Sequence, residues 1–122
     1  MIEITYESAL AALRKQVELK GADYVYPYDE CFYQSKGEPL CIVGCALVDL
    51  GVSVVTLIKL DDDGAPLAID GDRALKKLTE EGISLDPQAL TLFMIAQQAQ
   101  DTQDSWGRAV ERAIDYTERR NQ

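Results

Sequence analysis

Apolar side chains recur along most of this 122-residue chain at the three- and four-residue spacing of amphipathic helices. Tyr6, Ala9, Leu10, Leu13 and Val17 share one face, and Glu7, Arg14, Lys15 and Glu18 the other. That predicts a helix over about 6–20, opened by Thr5 as N-cap and closed by Gly21. Residues 39–51, PLCIVGCALVDLG, are almost wholly apolar and predict a short buried helix with Pro39 in its first turn. The small residues at its middle, Gly44, Cys45 and Ala46, allow a neighbouring backbone to come close. Ser53 then caps VVTLIKLDD, where Val54, Leu57, Ile58 and Asp61 share a face until the DDDG at 61–64 ends the helix.

A loop over 64–72 leads to RALKKLTEE, capped by Asp72, with Ala74, Leu75 and Leu78 inward and Gly82 closing it. Asp86 followed by Pro87 is an N-cap and first-turn pair. The helix beyond carries Ala89, Leu92, Phe93, Ala96 and then Ala99 or Gln100 on one stripe. The last helix starts near Asp104 or Ser105, with Trp106, Ala109, Val110, Ala113, Ile114 and Thr117 as its stripe. The C-terminal ERRNQ is expected to fray.

Residues 22–39 break the period. Tyr24–Tyr26 and Cys31–Tyr33 have strand-like composition around a Pro27–Glu30 turn, which predicts a small hairpin near 23–34 lying against the helices. The fold class expected is therefore mainly α: five to six short helices packed as one bundle-like domain over 1–122, with one small β-hairpin. The tyrosines of this stretch suit core edges, with rings buried and hydroxyls reaching water. The other reading is a ligand-stacking wall, which would use Tyr26 and Tyr28.

Composition narrows the choice of partners. The formal net charge is -9, which disfavours nucleic acid backbones and anionic membranes. The twelve basic residues form no block that would offset it. The longest apolar run, Leu40 to Val48, falls short of the ~20 residues that span a bilayer. The N-terminus has no basic start or continuous apolar core of an export signal, so a soluble, cytoplasmic protein is expected. Three cysteines fit free thiols in a reducing compartment.

Most chemistry lacks its residues. There is no histidine, so a Ser-His-Asp triad is impossible and a cysteine nucleophile lacks its usual base. Cys41 and Cys45, four apart, with Cys31 give at most three thiolates without knuckle spacing, and they read as small buried apolar residues in place of a zinc site. Asp61-Asp62-Asp63-Gly64 fails the calcium-loop pattern, because Lys59 and Asp70 stand where an acid and a glutamate are required. No phosphate-binding glycine loop occurs. No catalytic residue, metal site or cofactor is expected.

One polar cluster stands out. Gln97, Gln98, Gln100, Asp101, Gln103 and Asp104 lie between two apolar stripes, just before the single tryptophan. Two readings compete. The cluster is a polar helix end with caps for the next helix, or Gln97, Gln100 and Asp101 bind a partner's backbone or fix a buried turn. Gly107, directly after Trp106, offers room for a close backbone.

CIVGCALVDLGV, AQQAQDTQDSWGRAVERA and KGADYVYP together resemble small proteins encoded by actinobacterial phages and their hosts. Those combine a C-x-x-G-x-A-L helix with a Q-x-x-Q-D…W-G-x-A-V segment. The matching positions are Cys41, Gly44, Ala46, Leu47, Gln97, Gln100, Asp101, Trp106, Gly107, Ala109 and Val110. The resemblance implies a phage or prophage accessory protein and assigns no activity.

The function expected is thus non-catalytic binding of a macromolecular partner. The partner is a protein, and the first to test is a second copy, meeting at residues 53–60. The alternative is a small-ligand or nucleotide-binding protein using Tyr26, Tyr28, Gln97, Gln100 and Asp101.

Overall fold

The computed structural model describes residues 2–27, 33–62 and 71–120. In chain order these form β1 (Ile2–Ile4), α1 (Tyr6–Lys20), β2 (Gln34–Ser35), β3 (Glu38–Pro39), α2 (Ile42–Asp49) and α3 (Val54–Asp62), then α4 (Gly71–Glu80), β4 (Ile83–Leu85), α5 (Pro87–Asp101) and α6 (Trp106–Arg120). The protein is mainly helical, with six helices among the described residues and a small antiparallel hairpin.

α5 is the central element. It packs on α1, α2, α4 and α6, and its C-terminal half is buried on several sides. Its buried residues are Ala89, Leu92, Phe93, Ala96, Gln97, Ala99 and Gln100, the expected stripe with both Ala99 and Gln100 in it and Gln97 added. α6 lies along it and buries Trp106, Ala109, Val110, Ala113 and Thr117, with Ile114 half-buried. α1 covers both and buries Ala9, Ala12, Leu13 and Gln16.

Capping follows the sequence closely at α1 and α5. Thr5 Oγ1 accepts the Ser8 N–H at 3.1 Å, and Ser8 Oγ accepts the Thr5 N–H at 2.9 Å, a reciprocal capping box. Gly21, at φ 98°, closes α1 through a 2.7 Å bond to the Val17 carbonyl. Asp86 caps α5 by accepting the Gln88 N–H at 3.0 Å.

Other boundaries move. The hairpin lies at 34–39, pairing Gln34 with Pro39 and Ser35 with Glu38. Its two-residue loop, Lys36-Gly37, has both φ angles positive, the geometry that matches the right-handed twist of flanking strands. Val25, expected in the first hairpin strand, instead bridges Ser105; Tyr28, Cys31 and Phe32 lie outside the described residues. Pro39 is therefore a strand residue, and Cys41 is the N-cap of α2. Asp72 sits in the first turn of α4, one residue past its Gly71 start.

On α3 the buried positions are Thr56, Leu57 and Leu60, and Ile58 turns outward. A second pairing was not expected at all: β1 runs parallel to β4, with Ile2 beside Ile83 and Ile4 beside Leu85. The apolar alternation of IEI and ISL was its only sequence signal, carried by segments too short to separate from helix flanks.

Candidate functional site

The glutamine–aspartate cluster forms at the last turn of α5. Gln97, Gln100 and Asp101 stand three and four residues apart, so one helix face presents all three. Gln97 and Gln100 are 0% exposed. Each sends its side-chain amide N–H to Asp101 Oδ1, at 3.4 Å and 3.1 Å.

The Gln100 amide does a second job. Its Oε1 accepts the backbone N–H of Ile42 at 2.7 Å. Ile42 is the first residue of α2, whose opening amides have no partner inside the helix. The next bond in that cap comes from Cys41, whose Sγ accepts the Gly44 N–H at 3.2 Å. The start of α2 is thus held by a cysteine sulfur and by a glutamine 58 residues further along the chain.

The start of α6 is held by similar means. Trp106 N–H donates to the Tyr24 carbonyl at 2.8 Å, and Gly107 N–H to the Ala22 carbonyl at 3.0 Å. Ser105 Oγ accepts the Arg108 N–H at 3.3 Å. The Tyr24 ring meets Trp106 edge to face, with centroids 4.7 Å apart at 78°. Asp104 adds negative charge at this helix end and pairs with Arg112 at 3.1 Å.

Both helix starts need glycine. A Cβ on Gly107 would lie 2.8 Å from the Ala22 carbonyl oxygen, and one on Gly44 would run into the backbone of Tyr33. The chain between α1 and α2 is therefore fastened at Ala22–Val25 on α6 and at Tyr33 on α2.

Tyr33 has a third tie. Asp61 of α3 accepts the N–H of Tyr33 at 2.9 Å and that of Gln34 at 3.1 Å. Helical spacing puts this acid on the face of Leu57, and the residues it meets there, Tyr33 and Gln34, are not legible from the local sequence. Burial pushes the Asp61 carboxyl above its usual range, and the two backbone N–H groups pull it back only in part.

Of the residues proposed for binding, the structure brings Gln97, Gln100 and Asp101 together. Tyr26 is buried, at 1% exposure, and Tyr28 lies outside the described residues. The oxygen and nitrogen of the Gln100 amide are both engaged within the protein, so the cluster presents fastening more than an open recognition surface.

Cys41 is buried and Cys45 half-buried. Burial raises the Cys45 thiol against the opposing pull of Lys20, which disfavours the reactive thiolate. Among the described residues no three Cys, Asp or Glu side chains converge as a metal site. No helix among them is long and apolar enough to cross a membrane.

Two of the grooves that open elsewhere are lined by described residues. One, about 360 Å³, runs between α1 and α6 over Val17, Ala22, Val110 and Ile114, with Arg14, Glu18 and Glu111 also lining it. The other, about 300 Å³, lies between α4 and β4. The outer side of α3 carries Val55, 60% exposed, and Ile58, 36% exposed, with Val54 half-buried beside them.

Comparison with known proteins finds no match among family models, curated proteins or solved structures.

Proposed function

We propose that this chain is a non-catalytic protein that acts by binding a macromolecular partner through the outer face of α3. The observation that carries the reading is the pair Val55 and Ile58, three residues apart on one helix side and both open to water. The inner side of the same helix is anchored: Leu57 and Leu60 are buried, and Asp61 ties it to the hairpin. A rigidly mounted apolar ridge favours a protein surface as partner.

The side-chain N–H groups of Gln97 and Gln100 are given to Asp101 and the Gln100 oxygen takes the Ile42 N–H, which weakens the small-ligand alternative. The net charge of -9 disfavours nucleic acid. The resemblance to accessory proteins of actinobacterial phages and prophages belongs to the same proposal, as does a homodimer meeting at residues 53–60. Closed two-fold dimers are the commonest use of such a ridge.

Sedimentation over a wide concentration range, at low and high salt, tests the homodimer. Self-association strengthened by salt is expected, since screening reduces repulsion between two acidic copies. A monomer throughout would remove the second copy as partner.

A further inference from the structure

The groove along the seam of α1 and α6 has an apolar floor and a charged rim. The two helices run antiparallel there: the carbonyl of Ala22, just past α1, accepts the Gly107 N–H at the start of α6, and this contact closes one end. Val110, buried, and Val17 and Ile114, half-buried, form the floor. From Gly107 to Ile114 the wall rises about 10 Å, or roughly two helical turns.

Three charges stand over that floor. Arg14 and Glu18 lie one turn apart on the α1 wall, and Glu111 lies on the α6 wall. All three are exposed, and none forms an ion pair with a described residue. Their chain neighbours differ: Lys15 is held by Asp49 at 2.6 Å, and Arg112 by Asp104 at 3.1 Å. The charges left for a partner are thus those beside the apolar floor, two acids on opposite walls with one base a turn away.

We infer that this groove docks an amphipathic helix of a foreign protein, which lays its apolar face on Val17, Val110 and Ile114, sets a lysine or arginine between Glu18 and Glu111, and sets an acid one turn away at Arg14. A helix matches the rim because its own side chains repeat at the same four-residue spacing. A basic side chain suits floor and walls together: its stem packs on apolar surface while its head stays with the carboxylates. A free amine lacks the rest of the contact, and one exposed ion pair contributes little by itself. A second copy is the poorer fit, because in a two-fold contact the groove meets itself and four carboxylates face two arginines. Nucleic acid and anionic lipid bring the wrong sign to the same acids, whereas the charge of -9 draws a basic segment in. This surface is separate from the α3 ridge.

The test uses the full chain, ¹⁵N-labelled, and a blocked helical peptide of alanine and leucine, about 15 residues long, carrying Glu and Lys four apart. Titration is expected to move the amides of Val17, Glu18, Gly107 and Glu111. Glu18→Lys/Glu111→Lys should weaken binding at least about tenfold. Glu3→Lys/Glu38→Lys makes the same change in net charge at exposed positions off the groove and should weaken it far less. A peptide with its Lys replaced by Glu should bind the Glu18→Lys/Glu111→Lys protein better than the wild type, a gain that a misfolded variant would not give. Val55→Glu should bind as the wild type does, so failure here is distinguishable from failure of the α3 reading. Absence of shifts at these amides with millimolar peptide would overturn the proposal. So would equal weakening by the two double variants, or the same shifts produced by butylamine alone, which would reduce the groove to a bare cation site.

Discussion

The side-chain oxygen of Gln100 takes the backbone N–H of Ile42 at 2.7 Å, and through it the end of α5 caps the start of α2. Both groups are buried, so removing the acceptor leaves an amide that water cannot reach. Gln100→Ala is expected to cost about 1–3 kcal/mol, the usual penalty for an unsatisfied buried donor. Gln100→Glu should be worse at neutral pH, since it puts a carboxylate beside Asp101, and should recover as the pH falls. Urea unfolding of the two variants at pH 7 and pH 5 checks this; equal stability to wild type would show that the bond contributes nothing.

Gly44 and Gly107 are each pressed by a neighbouring backbone, which cannot swing aside as a side chain would. Gly44→Ala and Gly107→Ala are expected to destabilise by about 1–3 kcal/mol each, the range for overpacking. Gly44→Ala should be the more harmful, because Tyr33 is also tied by Asp61. Thermal melts of the two variants rank them directly.

Trp106 is 0% exposed, and its indole N–H meets no hydrogen-bond acceptor among the described residues. The ring is therefore held by packing. Trp106→Ala is expected to cost about 3–5 kcal/mol, and Trp106→Phe clearly less because no hydrogen bond is lost. Unfolding curves for the two variants give the comparison, and equal losses would point to a polar role for the indole.

Asp61 should respond to pH in the opposite sense from an exposed, ion-paired aspartate. Its carboxyl is raised above the ordinary 3.8, chiefly by burial, so the folded state binds its proton more tightly than the unfolded state. Its contribution is therefore greatest below the unfolded value and declines as pH rises through the raised folded value. The stability of wild type relative to Asp61→Asn is expected to increase on acidification across that window. A difference that is flat with pH, measured by urea unfolding at several pH values, would contradict the assigned burial.

Much of this architecture was legible because helix stripes and caps are local. The stripe from Trp106 to Thr117, the Thr5 and Asp86 caps and the need for small residues at 44 and 107 all follow from spacing and residue type. The hairpin lies later than composition predicts, because Val25 has strand-like neighbours but finds its partner at Ser105, a pairing that only the folded chain creates. The β1–β4 pair joins segments some eighty residues apart, and three-residue strands carry almost no period. At the polar cluster the sequence supplied the residues but not their target: nothing local links Gln100 to Ile42. The apolar arc over 53–60 is too wide for one neighbour to cover, but spacing alone does not say that Ile58 is among the residues left outside.

Gln97, Gln100 and Asp101 bond to one another and to the start of α2, whereas the contact proposed for a partner uses Val55 and Ile58. Sedimentation velocity of wild type, Gln100→Ala and Val55→Glu/Ile58→Glu, at matched concentrations in high salt and with melting temperatures measured alongside, separates the two roles. The account predicts that the wild type self-associates, that Gln100→Ala melts earlier yet associates while folded, and that the double variant melts near wild type as a monomer. A double variant that associates as the wild type does, or a folded Gln100→Ala that alone loses association, would contradict it.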